Sequence, residues 1–370
     1  MKILILHVPA GSGHQRAAEA LLAAFHQRQV QDELTIRDAL EGANRFYRWC
    51  FTRGYLNLIH QAPFIWGVLY HLTDLKILNR QVQWLHRVSN GLHEKNLGTY
   101  LRKSRPDVVI GTHFFPMEVA GTLKAQGLLS AKLITVITDY LPHALWIAPG
   151  IDTYVVGSEA ARQELLARGV DPDRIQLFGI PVDPKFSQNR DNPAVIKQIG
   201  LDPDRFTVLI GSGGAGTGPI VSLIETLGQM PDLIQIVVVV GKNVELFRKL
   251  KTLCRKIRHP IKVYGFINNM DELMAISNLM ISKPGGLTCA EAMTRGLPLI
   301  LIAPIPGQET RNAQVMTQMG IAVLAGRVSE IPNLVRALRK DPETLRAMSR
   351  KARQLSHPDA ALQITRLAIP

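Results

Sequence analysis

The stretch 281–312, ISKPGGLTCAEAMTRGLPLILIAPIPGQETRN, constrains the fold more than any other part of the chain. It reads as strand end, glycine loop, helix, strand and loop. Pro284, Gly285 and Gly286 stop an apolar strand and delay the helix that Leu287 and Thr288 open. Gly296, Leu297 and Pro298 end that helix. LILIA then reads as a strand covered on both faces, and the turn at Pro304 to Gly307 leads into Gln308, Glu309, Arg311 and Asn312. Parallel neighbours need a crossover connection, so this alternation predicts a parallel sheet with helices on its faces.

A helix N-terminus presents several unpaired N–H groups and roughly half a positive charge, which suits a phosphate. Thr288 adds a hydroxyl. Glu291, three residues on, shares its helical face and suits ribose hydroxyls. By residue type alone, the loop is equally a plain turn and Glu291 a solvated helix residue. Loops at the carboxyl ends of adjacent strands face one crevice, so the second cluster, Gln308 to Asn312, can address the same ligand, a nucleotide with a polar head.

With 370 residues the chain suits two domains, and 46% hydrophobic residues exclude a disordered chain. Cys50, Cys254 and Cys289 are too few and too dispersed for a disulfide framework or a metal site, so a reducing cytosol is expected. The N-terminal ILIL is a first strand rather than a secretory core, and no apolar run reaches transmembrane length. The formal charge is +13, and 45–105 contains ten Lys/Arg against only Asp74 and Glu94. The same segment holds Trp49, Trp66 and Trp84, with Phe46, Tyr47, Phe51, Tyr55, Phe64, Tyr70 and Tyr100 interleaved. Basic plus aromatic composition fits a membrane interface as well as a nucleic-acid surface.

Along the chain, KILILHV is a strand followed by GSGHQRAAEALLAAFHQR, a glycine loop and helix. The dinucleotide fingerprint fails there, because His14, Gln15 and Arg16 follow Gly11, Ser12 and Gly13, and NAD binding is disfavoured. Residues 44–104 read as helices broken around Pro63. DVVIG, LITVITDY and DTYVVG are further strands, with Ser158 capping the next helix. The polar stretch near Pro184 to Pro193 reads as a linker, and FTVLIGSGGAGTG opens a second α/β domain with the strands IQIVVVVG and IKVYGFI. After Asp341 the tail is basic and helical.

His14 sits at a strand-to-helix turn between glycines that allow close approach of a substrate. With a pKa near neutrality it can take a proton from an attacking hydroxyl; it can equally be a capping or exposed histidine. Asp139 and His143, in TDYLPHALW, follow a strand end, where an aspartate can orient a histidine or merely close a turn. His113 reads as a satisfied loop histidine. The loop at 211–216, GSGGAG, can line a diphosphate or simply join strand to helix, and Lys242 and Lys283 can neutralise phosphate or sit anywhere on a surface.

The run SKPGGLTCAEAMTRGLPLIL followed by PGQETRNA resembles the donor signature of the UDP-sugar glycosyltransferases of family 28. GSGHQRAAEA resembles the GxGH-x-x-A-A opening of monogalactosyldiacylglycerol synthases and bacterial diacylglycerol glucosyltransferases. The resemblance implies the α/β GT-B fold, two Rossmann-like doubly wound domains facing a cleft. It divides the chain into 1–185, an acceptor domain with a basic aromatic helical insert at about 44–105, 186–340, a UDP-sugar domain, and 341–370, a tail helix crossing back to the first domain.

By the same resemblance His14 is the catalytic base with Asp139 beside it, while Gly13, His143 and Trp146 contact the acceptor. Ser212, Gly213, Gly286, Leu287 and Thr288 hold the diphosphate, Phe266 and Ile267 meet uracil, Glu291 binds ribose, and Gln308, Glu309 and Asn312 complete the donor site. The implied reaction is inverting transfer of galactose or glucose from UDP to diacylglycerol. UDP-sugar is a co-substrate, and no cofactor or metal is expected. The expected partners are UDP-hexose, diacylglycerol and an anionic membrane surface, with no nucleic acid, and the expected location is cytoplasmic, peripheral on the inner face of the cell membrane. Phe64 and Trp66 are the expected insertion residues, with Arg45, Arg48 and Arg53 meeting anionic lipid. The rival readings are a peptidoglycan lipid N-acetylglucosaminyltransferase, a UDP-sugar epimerase and a basic nucleic-acid-binding module.

Overall fold

The computed structural model describes residues 1–9, 11–43, 48–49, 54, 58–59, 61–74, 94–188, 192–214 and 216–369, with side chains at all of these except 63, 94, 95 and 192. Arg45 and Arg53 lie outside the described residues. The chain forms two compact units, Met1–Pro184 with Ile305–Arg311 and His357–Pro370, and Lys185–Pro304 with Asn312–Ser356. Among the described residues each contains one six-stranded sheet.

In the first unit β1 (Lys2–His7), β2 (Glu33–Asp38), β3 (Val108–Gly111), β4 (Lys132–Val136), β5 (Thr153–Val155) and β6 (Ile175–Gln176) run parallel in the order β2-β1-β3-β4-β5-β6. Its helices are α1 (Gly13–Gln27), α2 (Pro63–Asp74), α3 (Glu94–Ser104), α4 (Phe114–Ala125) and α5 (Glu159–Ala167). Side chains alternate across a strand, so both faces of this sheet are apolar. Ile3, Ile5, Ile110 and Ile134 pack with Leu21 and Phe25 of α1, while Leu4, Leu6, Val109 and Leu133 pack with Phe115 and Trp146. Ser158 caps α5 by accepting the Ala161 N–H at 3.0 Å, as its position implies. The edge strand β2, ELTIRD, goes beyond the sequence reading. Its residues are half-buried or exposed, so it lacks the apolar run that marks the central strands.

The second unit holds β7 (Thr207–Gly211), β8 (Gln235–Val239), β9 (Ile261–Tyr264), β10 (Leu279–Ser282), β11 (Leu299–Leu301) and β12 (Ala322–Leu324), parallel in the order β12-β11-β10-β7-β8-β9. The helices α6 (Asn192–Ile199), α7 (Ile220–Gly228), α8 (Val244–Leu253), α9 (Met270–Ala275), α10 (Gly286–Arg295), α11 (Gln308–Gln318), α12 (Ile331–Lys340) and α13 (Pro342–Leu355) accompany it. Residues 308–311 of α11 belong to the first unit and the remainder to the second. The last helix, α14 (Ala360–Ala368), belongs to the first unit and buries Ala361, Ile364 and Ala368 in the core shared with α1.

Both sheets reverse strand order once. The chain leaves β1 for β2 and returns to β3 on the other side of β1, and it leaves β7 for β8 and returns to β10 on the other side of β7. Loops leaving such a pair of strands diverge and open a crevice at their carboxyl ends, where open α/β sheets bind ligands. Leu6 lies level with Gly111 in the first sheet, and Gly211 with Ser282 in the second. The His14 loop and the Thr112–His113 corner therefore share one switch point, and the two glycine loops of the second unit share the other.

Candidate active site

His14 is the second residue of α1, and its half-buried ring is fixed from across the switch point. Nδ1 lies 2.7 Å from the carbonyl oxygen of Thr112 and 3.1 Å from Oγ1 of Thr138. A carbonyl only accepts, so Nδ1 carries the proton and Nε2 keeps its lone pair. Thr112 also donates its hydroxyl to the His14 carbonyl at 2.8 Å, closing a reciprocal pair. Burial lowers the His14 pKa from its ordinary value, partly opposed by the Asp139 charge and by the Thr112 hydrogen bond. The ring is thus neutral near pH 7, with the basic nitrogen unclaimed by the Thr112 contact.

Asp139 is positioned rather than free: its Oδ2 accepts the indole N–H of Trp146 at 3.2 Å. Trp146 is buried in the core and its ring lies 6.4 Å from that of His14, so it orients the acid while forming one wall. The turn that follows is fixed by Tyr154, whose hydroxyl accepts the Ala148 N–H at 3.1 Å and donates to the Ala148 carbonyl at 3.0 Å. Burial pushes that phenol up to about 12. Gly121 and Gly150 make the close crossing beside it possible, since a Cβ at Gly121 would fall 2.1 Å from the Pro149 carbonyl oxygen. Gly13 begins α1 immediately before His14. His113 caps α4 through Nδ1, which accepts the Phe115 N–H at 3.1 Å; burial first, then the neighbouring His14 and His7, hold it well below the ordinary range.

His143 is buried, and both its nitrogens are engaged within the protein. Nδ1 accepts the Leu145 N–H at 3.1 Å, which leaves the proton on Nε2, 3.0 Å from the Tyr70 carbonyl and 3.2 Å from the Thr73 hydroxyl. The residue fastens α2 to the loop that carries Asp139. Beside it lies a group that sequence reasoning missed. Asp74 accepts the Ala144 N–H at 2.8 Å, Arg168 at 2.9 Å and a short hydrogen bond from Arg311. Burial works to raise this carboxyl, but the hydrogen bonds from Arg311 and Ala144 outweigh it and hold the pKa below the usual value. The Arg311 guanidinium also lies 5.2 Å from the centre of the Tyr70 ring. At Gly307, with φ 93°, a Cβ would fall 2.5 Å from the same ring. The inner side of α2 thus seats 305–311, the segment carrying Gln308 and Glu309. Glu309 is buried and closes that segment by accepting the Ile305 N–H at 2.8 Å.

In the second unit α10 begins at Gly286, with Gly285 at its N-cap, so the N–H groups of Gly286, Leu287 and Thr288 form its open first turn. Glu291 follows one turn on and is buried, 4% exposed, a burial that rules out an ordinary solvated helix residue. Asn312, also buried, donates to the Pro284 carbonyl at 3.2 Å and holds the loop in place. Across the switch point the Ser212 hydroxyl donates to the Val239 carbonyl at 2.9 Å, and Gly213 and Gly216 have φ of 69° and 67°. A Cβ at Gly216 would fall 2.3 Å from the Val240 carbonyl oxygen. Lys283 reaches the Thr217 hydroxyl at 3.5 Å, bridging the two loops. Phe266 is exposed beyond β9 with Lys242 Nζ 5.5 Å from its ring centre, and Ile267 is half-buried next to it.

Comparisons with known proteins give the family and the fold. The monogalactosyldiacylglycerol (MGDG) synthase family matches residues 14–182, and the glycosyltransferase family 28 C-terminal domain matches 207–364. The chain is 30% identical over 355 residues to the processive diacylglycerol beta-glucosyltransferase of Bacillus subtilis, covering 96% of this chain and 91% of that protein. It is 31% identical to the enzyme of the same name from Bacillus mycoides, covering 97% and 91%. The chain belongs to glycosyltransferase family 28. Among solved structures, MurG of Acinetobacter baumannii superposes with a TM-score of 0.60 at 15% identity, covering 99% of this chain and 98% of that one. HepE of Anabaena in complex with UDP-glucose gives 0.59 at 15% identity, covering 99% of each. These likenesses establish the GT-B fold.

For a family 28 transferase whose base is His14, the acidic limb of kcat/KM falls below the ordinary histidine value near 6.5, because activity is lost only as pH drops through the lowered pKa. Asp139 acts to raise that pKa, so Asp139→Asn moves the limb to still lower pH and slows turnover moderately. His14→Ala loses at least about a hundredfold in turnover. A limb unmoved in Asp139→Asn, or a His14→Ala variant within a fewfold of the parent, contradicts the assignment.

Proposed function

We propose that the chain transfers a hexose, glucose or galactose, from a UDP-sugar to 1,2-diacylglycerol with inversion, giving a β-glycosyldiacylglycerol. The observation that carries the chemistry is the fixed tautomer of His14. The acceptor hydroxyl attacks the anomeric carbon while its proton passes to Nε2, and the bond from that carbon to the diphosphate oxygen breaks, its electron pair leaving with UDP. The first turn of α10 and Lys283 take up the charge on the departing diphosphate, and Glu291 binds the ribose. Phe266 and Ile267 meet the uracil, and Gln308 and Glu309 read the sugar. Ser212, Gly213 and Asn312 shape the diphosphate site. Asp139 supports the base, Trp146 and His143 position it, and Gly13 leaves room for the acceptor.

The lipid acceptor requires a docking face. Among the described residues no helix is long and apolar enough to cross a membrane. On α2, Phe64 is 81% exposed, Ile65 54%, Val68 43%, Leu69 44% and Leu72 44%. These positions fall on one side of the helix, an outward apolar stripe suited to lying in the headgroup boundary. Trp66 turns the other way: its indole nitrogen is buried and its ring meets Tyr70 with centroids 6.2 Å apart. The insertion role expected of Phe64 and Trp66 is assigned instead to Phe64 and its four outward neighbours. Arg48 is half exposed and pairs with Asp38 at 2.9 Å, so its charge is partly spent within the protein.

Incubating pure protein with each labelled UDP-hexose and either diacylglycerol or a polyprenyl diphosphate sugar tests the reading. Label should enter diacylglycerol; label entering only the polyprenyl acceptor overturns it. Calorimetry with UDP tests the donor assignment, with Glu291→Ala expected to weaken binding by about 1.5–3 kcal/mol, the usual size of a hydrogen bond to a charged group. Unchanged affinity in the folded variant removes Glu291 from the site. In vesicle sedimentation, a Phe64→Ser/Leu69→Ser variant should bind anionic liposomes several-fold more weakly and lose more activity on vesicle-borne diacylglycerol than on a detergent-dispersed short-chain analogue. Equal loss on both substrates sinks the docking face.

A further inference from the structure

The second unit contains a pocket of about 380 Å³ whose wall includes Phe206, Asn278 and Pro298. These residues immediately precede β7, β10 and β11, so the pocket opens at the amino ends of the strands whose carboxyl ends carry the glycine loops. It is therefore separate from the region assigned to the donor. Its volume lies within the range of small-ligand sites.

Four arginines line it, Arg295, Arg339, Arg346 and Arg353, and no aspartate or glutamate does. Arg346, Ser349 and Arg353 are spaced three and four residues apart on α13 and share one helical face. Arg295 is largely committed to the protein, donating to the carbonyls of Gln188 and Lys185 at 2.7 and 3.0 Å and lying 3.7 Å from Asp271. Arg339 lies 3.8 Å from Asp232, its one carboxylate partner among the described residues. Neither Arg346 nor Arg353 meets a carboxylate among the described residues. Arg353 lies across Gly296, the left-handed C-cap of α10, where a Cβ would fall 2.4 Å from its Nε.

A cation at a helix C-terminus complements the helix dipole, which accounts for one arginine there but not for three guanidinium groups around one void. Arg346 and Arg353 are exposed and Arg339 is half-buried, so water screens their mutual repulsion, yet three guanidinium groups on one hollow leave it strongly positive. The planar donors of arginine match the oxygens of a phosphate group, which can accept from several at once. We infer that this pocket is a second anion site, taking a phosphate group borne by a ligand other than the sugar donor. Arg346 and Arg353 are its principal contacts, Arg339 supplies further charge, and Ser349 adds a hydroxyl. Its occupant would lie against the end of α10 opposite Gly286, so one helix joins both anion sites.

The test titrates inorganic phosphate into the full chain at constant ionic strength held with chloride, read by calorimetry and by thermal shift. Arg346→Gln/Arg353→Gln should bind at least about tenfold more weakly than the parent, since two charge-assisted contacts are removed. Ser349→Glu, which adds a carboxylate to the same face, should bind as weakly while melting normally without phosphate. A parallel arm measures binding to neutral vesicles with and without phosphatidate. Loss confined to that arm upholds the site and identifies the phosphate source as a lipid headgroup; loss in the free-phosphate arm identifies a soluble ligand. Equal affinity of parent and double variant in both arms overturns the proposal.

Discussion

The hydrogen bond from His14 Nδ1 to the Thr112 carbonyl is the contact on which the proposed chemistry depends. Its net worth to stability is about 1 kcal/mol, no more than an ordinary hydrogen bond. Its consequence lies in the tautomer, because it fixes the proton on Nδ1 and leaves Nε2 basic. The contact exists because β1 and β3 are neighbours while their connections run to opposite sides, so the loop after one strand faces the corner after the other. Parallel topology places the pair and glycine keeps the approach open.

Helix α2 links an exposed apolar surface of the first unit to its polar interior. Its outward stripe is apolar and exposed, while Tyr70 and Asp74 on the inward side hold the segment 305–311. A buried carboxylate is tolerated there only with partners, and Arg168, Arg311 and the Ala144 N–H supply them. The same helix is tied through His143 to the loop that carries Asp139. The contacts that shape the surroundings of Asp139 and those that seat the segment with Gln308 and Glu309 therefore share one support.

Much of this was legible in the sequence because it is local. The glycine loops at Gly11 to His14 and Pro284 to Thr288 announce strand-to-helix turns within a few residues, and the central strands are unbroken apolar runs. What was not legible rests on distant pairing. Asp74 reads as one of only two acids in a basic segment, yet its arginine partners lie 94 and 237 residues away. His143 reads as an acceptor contact, but its ring meets Tyr70 and Thr73, some seventy positions earlier. Helix α2 is apolar on both sides, so periodicity alone does not tell which side faces inward, and the break at Pro63 marks Phe64 and Trp66 alike as a protruding tip. The edge strand β2 escaped because a half-exposed strand carries half the hydrophobic signal.

The proposed reaction is a single displacement at the anomeric carbon, driven by a base that takes the acceptor proton and never bonds to the sugar. Single displacement inverts configuration, whereas a covalent glycosyl-enzyme would retain it. The direct measurement is proton NMR of the glycolipid made from UDP-hexose labelled with ¹³C at the anomeric carbon, which carries the α linkage in the donor. Inversion gives a product with the large trans-diaxial H1–H2 coupling of a β linkage, and an α-linked glycolipid, with its small H1–H2 coupling, would contradict it.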